Sequence, residues 1–354
     1  MDAQQISRLT AHWIETLPGE DSTVVSGFGV WPLLALLAEV ADGPARDELS
    51  AVASGSALDL PDTPELRTAL GLWTRPEVPL RAGLPLPAEM RGTLTDQAAL
   101  DTWVKERTGG LLDRMPIRLD PDILLVLASA LAVRTKWALP FKESFIGTSL
   151  SRTDTDLDTV RRFESPAGPL TVVTVKGEGD IDVRLVAGET DRPRNAVLSA
   201  ALRLTGEGTS GTELLAGNAV DTSPAPRVTV ASSTGPIPTV SLWARRFEVD
   251  AEHNLLDHPD VFGLRTATDG TRGHFPRLSP VPLAVGQAKQ LVMARFSADG
   301  FEASAATAVA AAPGSMPQFR PPVGTMLQVG MDSRCGFIAV HRPTGTPLVT
   351  GWVA

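Results

Sequence analysis

The chain has 354 residues, of which 43% are hydrophobic and 21% are charged, and this balance is typical of a soluble globular protein. Its net charge of −9 argues against a nucleic-acid partner, because binding to phosphates requires clustered Lys and Arg. The longest apolar run, 123–133, is far short of the roughly 20 residues that a membrane-spanning helix needs. The single cysteine, Cys335, excludes an internal disulfide framework and is expected to be buried rather than reactive.

The N-terminal residues bear on localisation. Met1 to Gln5 show neither a positively charged leader nor an apolar core. We therefore expect the protein to reside in the cytoplasm, although secretion with a leader outside this sequence fits the same residues.

The first third of the chain carries helical patterns. Apolar residues recur near helical spacing in 4–17, and 31–40 is a second, strongly apolar helix candidate that ends before a Gly-Pro pair. A third candidate covers 99–107, and the Gly-Gly pair at 109–110 provides its stop signal.

From residue 123 onward the patterns change to those of strands. The run 123–133 is continuously apolar, as in a strand buried on both faces, although a buried helix would show the same pattern. Alternating runs between 170 and 204 predict half-buried strands, and 336–340 with 348–353 predicts a C-terminal hairpin. Helices first and strands later indicate an α+β protein, which we expect to fold as a single domain over 1–354.

The usual motifs of enzymes and metal sites are missing from the sequence. The histidines are scattered, with no pair at the spacing of a zinc-binding helix, so we expect no metal site. The acidic run 154–158 resembles the start of a calcium loop but lacks the glycine and the final glutamate of that loop. No Gly-x-Ser-x-Gly elbow is present, and we therefore expect neither an enzyme nor a bound cofactor.

An alanine-rich segment, 300–312, is the most informative part of the sequence. Alanine has the highest helix propensity, so an exposed helix or a linker is the ordinary interpretation of such a run. The same small side chains also fit into a β-sheet without steric conflict. The pattern at 300–309 is Gly-x-Glu-Ala-x-Ala-Ala-Thr-Ala-Val.

This pattern resembles the hinge of the reactive loop in serpins, and other patches match that family in chain order. Residues 99–112 resemble the serpin helix that carries Trp-Val followed by Thr-x-Gly, and 127–137 resemble its Asn-Ala-x-x-Phe-x-Gly-x-Trp strand. Residues 23–49 are similar to the family's Ser-Pro helix and the helix after it, and 332–351 to its terminal strands. Each patch alone is weak evidence, but together and in the correct order they make a strong case.

The resemblance implies a serpin fold, in which helices pack on three β-sheets and a reactive-centre loop, here about 298–322, is exposed. It implies a protein that inhibits serine proteases as a suicide substrate: the protease cleaves the loop, and the cut segment inserts into the central sheet and traps the enzyme. We expect this inhibitor to be a monomer. The family's usual scissile bond falls at Gly314–Ser315, and because loop lengths vary in the family, Met316 and Phe319 are alternative positions. Because Gly314 offers no side chain to a specificity pocket, we expect a protease tolerant of small residues, such as an elastase-like or subtilisin-like enzyme.

The hinge would have to become a buried strand. Because side chains alternate across a strand, the odd-numbered hinge residues from 301 onward would share one face. Phe301 departs from the family, which usually has Thr or Ser there. A bulky side chain in a packed gap costs roughly 1–3 kcal/mol, and burying a Phe contributes about 1.5–3 kcal/mol, so the expected difficulty is slow insertion. The hinge residues are Gly300, Phe301, Glu302, Ala303, Ala305 and Thr307.

A sheet-opening region is also implied by the resemblance. The family's His and Asn are replaced there by Gln290 and Ser129, while Ser26 and Trp137 match the family. Ser26, Ser129 and Gln290 can all donate and accept hydrogen bonds, so a polar network among them is expected. These departures and the bulky first hinge residue leave an alternative open, namely a non-inhibitory serpin-fold protein that binds a ligand or partner or serves another pathway.

Overall fold

The computed structural model describes residues 2–55, 63–84, 86–110, 112–120, 122–143, 148–302 and 324–354. Most of the helices in these ranges lie in the first third of the chain, as the sequence predicts. They are, in chain order, α1 (Ala3–Thr16), α2 (Gly27–Val40), α3 (Gly43–Val52), α4 (Gln97–Arg107), α5 (Arg194–Leu202) and α6 (Gly211–Ala216).

Polar caps and glycines determine the ends of the helices that were predicted. The Ser26 hydroxyl caps α2, and the Asp96 carboxylate caps α4, each by accepting a hydrogen bond from a backbone amide that lacks an intrahelical partner. Because of its cap, α2 begins about one turn before the predicted helix 31–40. The chain leaves α4 through Gly109 and Gly110, whose φ angles of 64° and 80° are accessible to glycine at little cost.

Strands occur along the whole described chain, including the first third, where the patterns predict helices alone. The missed strands there are short or have their partners far away in sequence. The strands are β1 (Thr23–Val25), β2 (Leu66–Thr74), β3 (Arg91–Thr93), β4 (Leu125–Lys136), β5 (Lys142–Glu143), β6 (Ser149–Asp154), β7 (Val160–Phe163), β8 (Leu170–Val175), β9 (Ile181–Ala187), β10 (Thr209–Ser210), β11 (Val228–Ser233), β12 (Thr239–Arg245), β13 (Phe247–Asn254), β14 (Lys289–Phe296), β15 (Gly300–Glu302), β16 (Gly324–Met331), β17 (Cys335–His341) and β18 (Thr346–Val353).

These strands form three sheets, so the predicted α+β class is confirmed. The central sheet has six strands in the order β13-β14-β15-β4-β2-β3. A seven-stranded sheet has the order β1-β18-β17-β9-β8-β7-β10, and a five-stranded sheet has the order β11-β16-β12-β6-β5. In the central sheet β13 is antiparallel to β14, and β2 is antiparallel to β4.

Several predicted strands are confirmed, and two details of the predictions are wrong. The apolar run 123–133 is strand β4 over most of its length, and the C-terminal hairpin is the antiparallel pair β17 and β18. The alternating runs within 170–204 include β8 and β9, but nearly all their side chains are buried rather than half-buried, because α1 and α5 pack on the same sheet. The same region contains helix α5, whose buried Val197, Leu198 and Ala201 follow helical spacing.

Strand β4 separates two apolar clusters. Its even-numbered residues Val126, Ala128 and Ala130 pack beneath Leu100 and Val104 of α4 on what we call the outer face. Its odd-numbered residues face the main core and helix α2, on what we call the inner face. The two faces of β4 are therefore covered by different parts of the chain.

Three observations bear on other classes of site. Cys335 is buried, as predicted, and burial raises the pKa of its thiol to about 12, so the reactive thiolate is scarcely populated at neutral pH. Within the described ranges, no group of His, Cys, Asp and Glu side chains is arranged to hold a metal ion. No helix in that part of the chain is both long enough and apolar enough to cross a membrane.

Candidate functional site

The short strand β15 lies in the middle of the central sheet, between β14 and β4. It pairs antiparallel with both neighbours: Phe301 lies opposite Phe296 of β14 and opposite Thr135 of β4. Gly300 and Glu302 complete the strand. The first three of the predicted hinge residues therefore lie in the central sheet.

The turn that connects β14 to β15 is held by residues at and beyond the end of β4. The indole Nε1 of Trp137 donates a hydrogen bond to the Ser297 carbonyl at 2.9 Å, and the Trp137 amide donates to the Asp299 carbonyl at 2.9 Å. The Phe141 amide donates to the carbonyl of Ala298, also at 2.9 Å, and the Ala298 side chain is buried. Trp137, which the sequence places in the sheet-opening region, thus fixes the turn before the hinge.

Gly300 is required by the close approach of two strands. A Cβ atom at this position would lie 2.3 Å from the Thr135 carbonyl oxygen, which belongs to the backbone of β4 and cannot rotate away. The Gly300 carbonyl in turn accepts hydrogen bonds from the amide and the hydroxyl of Ser297, at 2.9 and 3.0 Å. A glycine therefore lets β15 begin directly beside β4.

Phe301 is anchored in a chain of aromatic rings beneath the central sheet. Its side chain is fully buried and its ring centroid lies 6.1 Å from that of Phe337. Phe337 contacts Phe247 at 4.8 Å, and Phe247 stacks on Phe296 at 5.4 Å. Phe296 lies 5.0 Å from Trp137, so the first hinge side chain and the residue beneath the turn belong to one cluster. Aromatic pairs at such separations stabilise a core beyond the burial of their area.

Glu302 faces the opposite side of the sheet, as strand alternation predicts. Its side chain is about one third exposed, and its Oε1 lies 3.9 Å from Nε of Arg134. Arg295 is its direct cross-strand neighbour on β14, and Arg295 also pairs with Glu248 at 3.0 Å. A carboxylate between two guanidinium groups suits this outer position.

Beyond β15 the central sheet is split. Among the described residues, β4 and β14 pair with β15 and with their outer neighbours but not with each other. We call the space between β4 residues 125–133 and β14 residues 289–294 the central gap. A cavity of about 310 Å³ opens there, lined on its inner side by Leu34 of α2, Leu131 of β4 and Val292 of β14. Two strands that share one middle strand lie roughly 9.5 Å apart, which leaves room for one further strand.

The far end of the central gap is bridged by a pair of hydrogen bonds. The Arg118 amide donates to Oε1 of Gln287 at 3.2 Å, and Nε2 of Gln287 donates to the Arg118 carbonyl at 3.0 Å. Gln287 precedes β14, and Arg118 precedes β4. The central gap is therefore closed by β15 at one end and by this bridge at the other.

A polar network spans the inner side of the central gap. The Ser26 amide donates to Oε1 of Gln290 at 2.9 Å, and Nε2 of Gln290 donates to the Ser26 carbonyl at 2.8 Å. The Ser26 hydroxyl donates to the Leu348 carbonyl at 2.6 Å and accepts from the Gly29 amide. The Ser129 hydroxyl donates to the Gly29 carbonyl, so Ser129 joins the network through α2 rather than by direct contact with Gln290.

His253 is a neighbour of this network that the sequence patterns do not single out. It lies directly opposite Gln290 in the pairing of β13 with β14. Its Nε2 is 2.9 Å from the Val24 carbonyl oxygen, and its ring packs edge to face against Trp13 at 5.1 Å. Burial lowers the pKa of His253 below its ordinary value of 6.5, so the neutral ring is favoured.

Other predicted site residues lie in the segment 303–323, outside the described residues. They include the later hinge positions and both residues of the predicted scissile bond. These residues are Ala303, Ala305, Thr307, Gly314 and Ser315.

Comparison with known proteins agrees with this architecture. No family model matches the chain, and no curated protein matches it. Solved structures of serpins match over almost the whole chain. The native state of tengpin, a thermophilic serpin, superposes with a TM-score of 0.68 at 13% identity, covering 99% of this chain and 93% of tengpin.

Two further structures give the same result. Serpin48 from the insect Tenebrio molitor, described as a highly specific serpin, has a TM-score of 0.67 at 15% identity, with 99% of this chain and 96% of that protein covered. Cleaved Serpin 42Da has a TM-score of 0.66 at 15% identity, with 99% and 94% covered. At this level of identity the likeness establishes the fold, and the chain has the serpin fold.

Proposed function

We propose that this protein inhibits serine proteases as a suicide substrate, through cleavage of its loop and insertion of the cut segment into the central sheet. The observation that carries the proposal is the position of β15. It pairs with β14 and with β4 at one end of the central gap, where both neighbours continue without pairing to each other. Any continuation of β15 in the same direction would enter the central gap.

The register of β15 indicates where a later hinge residue would lie after insertion. Phe301 is opposite Thr135 and Phe296, and each step along the antiparallel strand moves one residue back along both neighbours. Continued in this way, the register would place Thr307 between Ser129 and Gln290. The hydroxyl of Thr307 would thus reach the inner polar network, where it could both donate and accept hydrogen bonds.

Insertion would also release free energy. The backbone groups of β4 and β14 that face the central gap would gain partners in the new strand, and each net intramolecular hydrogen bond contributes about 0.5–1.5 kcal/mol. Small inward side chains would enter the apolar space with little repacking. A segment already joined at β15 would begin this process without a separate search for its place in the sheet.

The target is proposed from the sequence of the loop. If the reactive bond is Gly314–Ser315, a protease that accepts a small residue before the cleaved bond is favoured. Elastase and subtilisin are suitable test enzymes, because both accept small residues.

The proposal is tested by mixing the protein with elastase or subtilisin and examining the products on a denaturing gel, with melting temperatures measured before and after loop cleavage. A detergent-stable complex together with a large rise in melting temperature is expected. Protease whose active-site serine has been blocked serves as the control and should give no complex. Clean cleavage without a complex, at an unchanged melting temperature, would overturn the proposal and leave a serpin fold that serves as a binding protein.

A further inference from the structure

The cavity in the central gap has the size of a small-molecule site. Its volume is about 310 Å³, and it is lined by side chains from α2, β4, β14 and the segment before β14. An engineered apolar cavity of about 150 Å³ stays dry and binds benzene. A cavity of about twice that volume is large enough for a two-ring compound or for a chain of about ten carbons.

The walls of the cavity select for an apolar molecule. Leu34 and Leu37 of α2, Leu127 and Leu131 of β4 and Val292 of β14 line it. Small-molecule sites are commonly lined in this way, with a few polar groups that orient the ligand. The removal of the ligand's apolar surface from water would favour its binding in such a cavity.

The charged residues that line the cavity lie away from its middle. Of the described lining residues, Asp122 and Lys289 are charged, and they lie before β4 and at the start of β14, on the side away from β15. Lys289 is already paired with Glu252 at 3.1 Å. An ionic ligand would therefore leave its charge among apolar side chains, which is strongly unfavourable.

Two polar side chains offer a hydrogen-bonding position in the middle of the cavity. The Ser129 hydroxyl donates to the Gly29 carbonyl and retains lone pairs that can accept a hydrogen bond. Nε2 of Gln290 donates one hydrogen to Ser26 and has a second hydrogen available by its chemistry. We propose that the cavity binds an uncharged, mainly apolar molecule of about ten to twelve non-hydrogen atoms that carries one hydroxyl or carbonyl group.

Such a ligand would compete with an inserting strand. The ligand and the continuation of β15 would occupy the same space between Leu131 and Val292. A bound ligand would therefore slow insertion, and this regulatory part of the inference rests on the proposed function. The binding itself does not depend on protease inhibition, so the two can fail separately.

Titration calorimetry of the uncleaved protein with 2-naphthol and with 1-decanol tests the site. Saturable binding of one molecule per chain is expected, with naphthalene bound at least fivefold more weakly than 2-naphthol. Leu127→Phe and Leu37→Phe each fill the cavity from a different element and are expected to weaken binding at least tenfold. Leu204→Phe, at a half-buried leucine of the main core that does not line the cavity, is the matched control and should change affinity less than twofold.

The outcomes separate the two proposals. The absence of saturable binding would overturn the ligand site. So would Leu127→Phe and Leu37→Phe variants that bind 2-naphthol as tightly as the wild type and melt as cooperatively. Ligand binding together with clean cleavage, no protease complex and an unchanged melting temperature would keep the site and overturn the proposed function. If cleavage raises the melting temperature but the affinity for 2-naphthol stays the same, the claim that ligand and strand share one space is wrong.

Discussion

If the protein inhibits proteases by loop insertion as proposed, replacing Ala305 with Glu is expected to turn it into an ordinary substrate, whereas Ser304→Glu should leave inhibition intact. The two changes add the same carboxylate to adjacent residues, which would face opposite sides of an inserted strand. If the register of β15 continued past Glu302, Ala305 would lie between Leu131 and Val292 on the inner face. Ser304 would fall on the outer face, which it would share with Glu302.

The magnitude follows from the surroundings of the inner position. Leu131 and Val292 line the apolar cavity, so a carboxylate from residue 305 would have no polar partner there. Burying an unpaired carboxylate costs several kcal/mol in real proteins. A cost of about 4 kcal/mol in the rate-limiting state of insertion slows that step roughly a thousandfold, at about 1.36 kcal/mol for each factor of ten. Hydrolysis of the acyl-enzyme would then finish before the protease is trapped.

On the outer face the same carboxylate meets a different environment. Arg134 and Arg295 flank Glu302 there, and the side chains of Arg134 and Glu302 are about half and one third exposed. A second carboxylate beside them remains hydrated and close to positive charge, so its cost is expected to be below about 1 kcal/mol.

The assay is the stoichiometry of inhibition with subtilisin, together with the yield of detergent-stable complex and the melting temperature of the cleaved product. Ala305→Glu should be cleaved at the wild-type rate, give little complex and show a smaller rise in melting temperature. Equal complex yields from the two variants would refute the register. Loss of complex from Ser304→Glu alone would show that residue 304, rather than residue 305, faces the inner side of the sheet after insertion.

Three further predictions concern the described part of the site. Phe301→Ala empties a fully buried position and is expected to lower the free energy of unfolding in urea by about 3–5 kcal/mol. The control Glu302→Ala should lower it by less than about 1 kcal/mol. Equal losses from the two variants would contradict the anchoring role of Phe301. Gly300→Ala places a methyl group 2.3 Å from the Thr135 carbonyl oxygen and should displace β15. The displacement would be measured as loss of hydrogen-exchange protection at the β15 amides. Retained protection would show that the β4 backbone can move to accommodate the methyl group. Because burial lowers the pKa of His253 in the folded state, its contribution to stability is complete above about pH 6.5 and is lost as the pH falls toward the folded pKa. Melting temperatures of His253→Gln should therefore fall less between about pH 7 and pH 5 than those of the wild type, and parallel curves would contradict the assignment.

The sequence predicts correctly those helices and strands whose ends and pairing are decided by residues close together in the chain. Helix α4 ends at a glycine pair with positive φ angles, and β17 and β18 form a hairpin over a short connection. In both places the residues that decide the structure are close together in the chain. The run 123–133, apolar apart from Ser129, was compatible with a buried strand or a buried helix, and it is apolar because β4 is covered on one face by α4 and on the other by the main core.

The arrangement of the candidate site depends on contacts that no local pattern contains. Ser26 and Gln290 bind each other across 264 residues of sequence. The position of His253 beside Gln290 depends on the register of β13 and β14, and no motif in the chain identifies it. The resemblance to serpins supplied Ser26, Ser129, Trp137 and Gln290 as a group, but it did not specify that Ser129 is connected through the Gly29 carbonyl.

The buried position of Phe301 changes the expected effect of its large side chain on the rate of the proposed insertion. The sequence predicts slow insertion if a bulky side chain has to enter a closed sheet. Here the ring is already buried against Phe337, and the backbone of β15 already pairs with β4 and β14. In the proposed mechanism, the entropic cost of ordering Gly300, Phe301 and Glu302 would thus be met before cleavage, and each later residue would add to an existing strand edge. The rate of insertion would then be limited by separation of the Gln287 and Arg118 bridge and by entry of the residues after Glu302, whose side chains are small. If the loop inserts as proposed, a large first residue would favour insertion in this arrangement, because it would hold the growing strand in register while the rest of the segment enters.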